Sequence, residues 1–364
     1  MIYRIPKDEY KGDIANYPLE NYPDYEPGKP PQFLKLAAIS HLDEEERIWG
    51  RKWGEQGIGK LKDVALVKPT EYEFNPLWQR DPMFFMLRHS VMTGTKTNIE
   101  TLTEQHEQYA KILKENGVNV HYMEFSDTWG AYGPLRKLYV AGRTATVIRG
   151  GAILKRWGHG SWGRGLERHA AKFLLGINCP ILLYPTGKAI CEGTWAFPAE
   201  NIAIIHMGLA MNEEALSQVT PVLKAAGIEQ IITAHTSTVM DTYNAGGYYH
   251  SDLILSFVDL GLALVVPSQL DWSLYTWLKE KKFKLIEVPP DELVSSVAVN
   301  GMQLEPGKII MPAAAKKTNA ALRKEGVDVI EFESSGVHGL MMGGMHCMTC
   351  RLYREPGPRL EELK

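Results

Sequence analysis

LKENGVNVHYM (residues 113–123) carries a helix to its end and begins a strand within a few residues, and the same junction returns four more times. The others read LLGINCPILLY (174–184), LKAAGIEQIIT (223–233), LKEKKFKLIEV (278–288) and LRKEGVDVIEF (322–332). Glycine at 117, 176, 227 and 326 reads as the left-handed C-terminal cap of four of these helices, and Lys282 stands in the fourth junction. Successive caps lie 59, 51, 55 and 44 residues apart, so the chain repeats a unit shorter than a domain.

Further strand-like stretches follow the junctions: LYVAGRTATVI, NIAIIH, LILSFVDLGLALVVP, VSSVAVNG with KIIMP, and HCMTCRLY. Each unit then mixes one helix with about three strands, too little to bury both faces by itself, and must close with its neighbours around a shared centre. The expected fold is α/β, a single domain of five such units around a pseudo-fivefold axis. A doubly wound sheet is the rival, weakened by strand pairs such as 253–258 and 261–266, which Asp259-Leu260 separates as in a hairpin. Upstream, the Pro- and Tyr-studded stretch 6–31 disfavours helix and central strand and reads as an arm that wraps the surface, with an oligomer contact or lid edge as the alternative. A helix over 42–54 and a strand in LKDVALVKP come next. The expected division is residues 1–57 as arm and helix and 58–364 as one catalytic domain.

Composition narrows the function. The 364 residues carry 40 basic and 43 acidic side chains, a net charge of -3, so no global positive field holds a phosphate backbone or an anionic lipid surface. No apolar run approaches the length of a membrane span, and the start, MIYRIPKDEYKGD, lacks the features of a secretory signal. A cytoplasmic protein is expected, with a small molecule as its partner rather than nucleic acid or membrane; a homo-oligomer stays open. Four cysteines, at 179, 191, 347 and 350, are too few and too uneven for a disulfide framework.

Two motifs invite chemistry. Gly158-His159-Gly160-Ser161-Trp162-Gly163 matches a dinucleotide fingerprint, but Trp157 and Trp162 crowd a turn meant for pyrophosphate, and no acidic residue ends a following strand; a flexible loop suited to a lid is the better reading. Gly343-Gly344-Met345-His346-Cys347-Met348-Thr349-Cys350 offers a Cys-x-x-Cys beside a histidine. A closed zinc site lacks a second ligand pair, and a redox dithiol normally opens a helix, so a nucleophilic cysteine is favoured over zinc, redox and inert-thiol readings. The Gly-Gly pair lets backbone approach a substrate, and a thiolate needs an acid–base partner. His250 and Asp252, on one face of an extended segment, supply one; Glu192, just after a unit's first strand, supplies another carboxylate. Counted from the caps, Glu192, His250 and Cys347 fall 16, 23 and 21 residues on, at comparable points of successive units.

Five αβ units with an acidic E-G motif, an H-x-D motif and a C-terminal G-G-x-x-C motif, in this order, resemble the guanidine-modifying superfamily with the pentein fold: arginine and agmatine deiminases, dimethylarginine hydrolases and amidinotransferases. The likeness spans roughly residues 58–354 and is sharpest in GGMHCMTCRLYRE. It implies Cys347 as nucleophile forming a covalent thiouronium, His250 as general acid and base, and Glu192 and Asp252 as ligands of a cation, without metal or organic cofactor. The family's E-G-G-D reads Glu192-Gly193-Thr194-Trp195 here, and its usual Arg-Asp pair gives way to Tyr139-Val140-Ala141-Gly142. Arg80-Asp81 resembles that pair but lies 111 residues before Glu192; Asp127, 65 residues before it, fits the spacing better as a substrate-binding carboxylate. Trp195 offers an aromatic face instead of a charge, or packs in the core. Gly208-Leu209-Ala210-Met211-Asn212 lacks the Arg-Thr-Asn of enzymes that hold free arginine. The expected activity is a cysteine-dependent hydrolase acting on C–N bonds of a guanidine, amidine or related compound. An amidinotransferase and a non-enzymatic binding protein that keeps the fold are the alternatives.

Overall fold

The computed structural model describes residues 12–16, 18, 26–29, 39–70, 98–124, 129–130, 133–134, 141–158, 164–192, 195–235, 250–340 and 343–363. Most of the Pro- and Tyr-rich arm, Arg80-Asp81, Asp127, residues 159–163 and Gly193-Thr194 lie outside them. Helix α1 (His41–Trp49) is capped by the Ser40 side chain, which accepts from the Leu42 amide. It is shorter than the expected 42–54 because Gly50 takes a left-handed φ of 79° and turns the chain.

The repeat is built as follows. Strand β1 (Leu61–Leu66), helix α2 (Ile99–Glu115) and β2 (Asn119–Tyr122) form the first unit. Strands β3 (Ala145–Ile148) and β4 (Gly151–Leu154), α3 (Glu167–Gly176) and β5 (Ile181–Leu183) form the second. The third has β6 (Ala196–Ala199), β7 (Ile202–Met207), α4 (Glu213–Ala225) and β8 (Gln230–His235). The fourth has β9 (Leu255–Asp259), β10 (Leu262–Val265), α5 (Trp272–Glu280) and β11 (Lys284–Glu287). The fifth has β12 (Met302–Glu305), β13 (Lys308–Pro312), α6 (Lys316–Lys324) and β14 (Asp328–Phe332). In the last four units a hairpin pairs antiparallel, the helix crosses over, and the third strand runs parallel to the hairpin's second strand. Among the described residues the first unit has no hairpin partner of its own. The C-terminal strand β15 (Cys350–Arg354) supplies it, pairing antiparallel with β1 while β1 runs parallel to β2.

The first strand of each unit meets the next. β15 packs on β3, β6 on β9 and β9 on β12. β12 reaches β15 through Arg354, which donates to the Gln303 carbonyl at 2.8 Å, and Arg149 and Glu200 join the second and third units as an ion pair. Central strands β4, β7 and β10 are buried throughout and almost wholly apolar, with His206 in β7 the exception, whereas the outer strands β2, β5 and β11 stay half-exposed. Among the described residues no helix is long and apolar enough to cross a membrane.

All five junctions end in one cap. The amides of Val118, Cys179, Ile228, Phe283 and Val327 donate to the carbonyls of Leu113, Leu174, Leu223, Leu278 and Leu322. All five leucines are completely buried, so each cap joins a hydrogen bond to an apolar contact. The left-handed residue between them is Gly117, Gly227 or Gly326 in three units and Lys282 in the fourth. In the second it is Asn178, with φ 60°, and Gly176 is the last helical residue, so the expected glycine cap at 176 is corrected. Asparagine tolerates this conformation because its short polar side chain bonds locally. VSSVAVNG is not a strand either: Pro290–Ser296 is helical, and β12 starts after Gly301. The Leu260-Gly261 pair, rather than Asp259-Leu260, turns the hairpin of the fourth unit, with Gly261 at φ 83°.

Candidate active site

Cys347 ends the Gly343–Cys347 stretch that leads into β15, and the backbone there is held from two sides. Asn300, completely buried, accepts with Oδ1 from the amides of Gly344 at 3.0 Å and Cys347 at 3.1 Å. Its Nδ2 donates to the Asp252 carbonyl at 2.9 Å, so one amide side chain staples the cysteine turn to the segment carrying His250 and Asp252. On the other side a Cβ at Gly142 would lie 2.4 Å from the Cys347 carbonyl oxygen, which explains glycine where the resemblance had an Arg-Asp pair. Thr349 donates to the Met345 carbonyl at 2.6 Å and accepts from the Tyr109 hydroxyl at 2.8 Å, tying the turn to α2.

The structure brings Cys347 and Asp252 together. The thiol donates to Asp252 Oδ2 across 3.4 Å, and both side chains are buried. The same oxygen lies 2.8 Å from His346 Nδ1. Arg351 binds His346 Nε2 with one guanidinium nitrogen and Glu55 with another, completing a chain of polar groups that the sequence did not show. Burial pushes the His346 pKa down, the Arg351 charge pushes it further, and Asp252 opposes them. His250, completely buried, precedes the single helical turn Ser251–Leu253 that carries Asp252. Glu192 is also completely buried; its Oε1 accepts from the Gly158 amide at 3.3 Å, which links it to the start of the Gly/Trp loop. Trp157, at the start of that loop, is buried, only 1% exposed.

Trp195 lines a cavity of about 60 Å³ together with Glu55, Asp252, Gln303, His346 and Arg351. One face of its ring is taken by the protein itself: Lys155, completely buried, holds Nζ 4.7 Å from the Trp195 ring centroid. Burial pushes the Lys155 pKa down, and the carboxylate of Glu55 opposes this. The Trp195 indole N–H has no acceptor among the described residues. The second cysteine, Cys350, turns away from Asp252: its thiol donates to the Ala145 carbonyl at 3.9 Å, and burial pushes its pKa to about 12. Among the described residues no group of three or more histidines, cysteines and carboxylates is arranged to hold a metal ion.

Of the missed residues, His346 stands directly before Cys347 in the motif and was legible as a neighbour. Asn300, Glu55 and Arg351 carried no local signal, since Arg351 and Glu55 are 296 positions apart.

The family model described as arginine deiminase matches residues 265–354, which include Cys347 but neither His250 nor Glu192. A 2-nitroimidazole nitrohydrolase of Mycobacterium sp. (strain JS330) is 28% identical over 363 residues, covering 96% of this chain and 95% of that protein. Among solved structures, the N-terminal domain of ArgZ, a cyanobacterial arginine dihydrolase, superposes with a TM-score of 0.63 at 16% identity, over 81% of this chain and 98% of that one. The dimethylarginine hydrolase DDAH of Pseudomonas aeruginosa, complexed with citrulline, gives 0.58 at 17% identity, over 80% and 99%. SxtG, an amidinotransferase of Microseira wollei, gives 0.60 at 15%, over 84% and 98%. These likenesses establish a shared fold.

Proposed function

From the premise that this chain belongs to the pentein-fold superfamily of guanidine-modifying enzymes, we propose that it is a cysteine-dependent hydrolase acting at a carbon held between two nitrogens. The observation that carries the reading is the Cys347 thiol, buried and hydrogen-bonded at 3.4 Å to Asp252 on a turn that Asn300 holds rigid. In this mechanism the thiolate adds to the electrophilic carbon and the carbon's leaving group departs, taking a proton from His250 if it leaves as an amine. A covalent thiouronium-type adduct remains on Cys347. Water then adds to that carbon, giving a proton back to His250, and the thiolate leaves to yield a urea-type carbonyl. Glu192 and Asp252 bind the nitrogens of the substrate, with Asp127 as a further carboxylate in this scheme.

The class of substrate follows from two features. Lys155 already fills one face of Trp195, which leaves less of that ring open to a cationic substrate and suits a neutral planar heterocycle. The nitrohydrolase relative acts, by its name, on such a ring, with nitrite in place of an amine as the group that departs. A 2-substituted imidazole or a cyclic amidine therefore ranks ahead of free arginine. The test is intact-mass spectrometry and product analysis after exposure to guanidines, amidines and 2-nitroimidazole. An adduct on Cys347 with release of ammonia, amine or nitrite in the absence of an acceptor supports the hydrolase. Turnover that needs an acceptor amine replaces it with an amidinotransferase, and an unreactive Cys347 with ligand binding alone returns the binding protein.

A further inference from the structure

We propose that Arg351, anchored by Glu55, positions the nucleophile by acting through His346 on Asp252; this rests on the reading of Cys347 as the nucleophile. A guanidinium has donors and no acceptor. Its bond to His346 Nε2 therefore makes that nitrogen the acceptor, and the proton of the neutral imidazole sits on Nδ1. Nδ1–H donates to Asp252 Oδ2 at 2.8 Å, and the Cys347 thiol donates to the same oxygen at 3.4 Å. Arg351 also donates to Glu55, which fixes the guanidinium plane. Every link in the series has a defined direction: Arg351 gives to Glu55 and His346, while His346 and Cys347 give to Asp252.

Two consequences follow for the chemistry. The imidazole holds the carboxylate in the rotation that points Oδ2 at sulfur, so the thiol proton has an acceptor in place before substrate arrives. A bare carboxylate this near would oppose a thiolate by like-charge repulsion; a hydrogen bond backed by the Arg351 cation offsets part of that. His346 is thereby a positioning residue, its Nε2 committed to Arg351, and this leaves acid–base work to His250. Other charged or titratable groups face the network. His206, neutral because burial holds its pKa at about 4, senses Asp252. Lys155, Cys350 and Arg354 lie in the field of Arg351.

The decisive experiment measures the rate of Cys347 alkylation by iodoacetamide from about pH 5 to about pH 10, with the modified residue located by mass spectrometry. His346→Leu keeps volume and removes both hydrogen bonds; His346→Asn keeps an N–H where Nδ1 lies; Glu55→Gln keeps shape and removes the anchoring charge. His346→Leu is expected to slow alkylation near neutral pH about tenfold and to move the profile to higher pH, as loss of a hydrogen bond to a charged group implies. His346→Asn should recover most of the wild-type rate, and Glu55→Gln should fall between the two. Thermal melting identifies variants that fold. Profiles of folded His346→Leu and Glu55→Gln that superpose on the wild type overturn the proposal. Because alkylation needs no substrate, this outcome is separable from failure of the nucleophile reading, which retained turnover in Cys347→Ser would reveal.

Discussion

Cys347 offers its thiol to a carboxylate 3.4 Å away at the end of a glycine-rich turn, while Cys350, the first residue of β15, offers its thiol to the Ala145 carbonyl of a neighbouring strand. Burial does not separate them, since both are almost wholly enclosed. Partners do. A carbonyl oxygen is a weak fixed acceptor, whereas the Asp252 carboxylate is a charged acceptor that His346 also contacts. The Cys-x-x-Cys spacing, which invited zinc and redox readings, places its two sulfurs in unlike settings: one in a polar site, one in a packed sheet.

Replacing each sulfur in turn tests this contrast directly. Cys347→Ser should lower turnover by at least about a thousandfold, because a hydroxyl is a far weaker nucleophile at neutral pH than a thiolate. Cys350→Ala should leave turnover within about twofold and cost about 1 kcal/mol of stability by removing a small buried group. Steady-state rates and melting curves of the two variants decide it; equal losses in turnover would restore a joint dithiol role. Next in size is Asn300. Asn300→Asp preserves the acceptor for the Gly344 and Cys347 amides but removes the donor to the Asp252 carbonyl, so the turn stays while its tie to Asp252 is lost. A drop in kcat of about ten- to a hundredfold with little change in KM is the expected result, since small misplacement of a nucleophile is costly. A KM-only effect would mean that Asn300 serves binding.

The same contrast explains what was legible in the sequence. The junctions were legible because a cap is local: a buried leucine, a left-handed residue and an apolar residue lie within six positions, as at Leu113, Gly117 and Val118. Gly176 misled because asparagine performs the left-handed turn two residues later, a substitution that composition does not reveal. At the site, Cys347 and Asp252 stood out through chemically distinctive short motifs. Asn300 and Glu55 did not, because their meaning lies in contacts made by segments far apart in the chain. Arg351 looked like an ordinary strand residue until β15 was seen pairing with β1, Arg351 opposite Val64.

Two buried carboxylates near α1 extend the comparison to pH. Burial raises the pKa of Asp63, but hydrogen bonds from His121 and Arg51 outweigh it and bring the value to about 2. Burial raises that of Glu45 to about 7, and the Trp53 amide at 2.7 Å offsets only part of this. The signs are opposite. A depressed folded pKa makes Asp63 stabilise above its unfolded value near 4, a contribution lost as pH falls through 2; a raised one makes Glu45 costly as pH climbs from about 4.5 through 7. Asp63→Asn should therefore destabilise by about 2 kcal/mol at pH 7 and by almost nothing near pH 2, and Glu45→Gln should stabilise by about 1–2 kcal/mol at pH 8 but not at pH 4. Urea midpoints across pH measure both; parallel curves for the two variants would refute the assignment.

The smallest effect concerns two glycines that looked equivalent in the repeat. Gly227 holds φ at 89° with open space where an added methyl would sit, so Gly227→Ala incurs only backbone strain, about 1 kcal/mol or somewhat more. Gly176 lies within α3 with ordinary helical backbone and equally open space, and there alanine removes the conformational freedom that glycine contributes to the unfolded chain. Gly176→Ala should accordingly stabilise by about 0.5–1 kcal/mol, opposite in sign to Gly227→Ala. Asn178→Gly, which relieves strain at φ 60° but adds freedom to the unfolded state, should come out near zero. If Gly176→Ala instead destabilises by as much as Gly227→Ala, the left-handed turn belongs to 176 and the cap of α3 is like the others; chemical denaturation of the three variants, read to a few tenths of a kcal/mol, distinguishes the two arrangements.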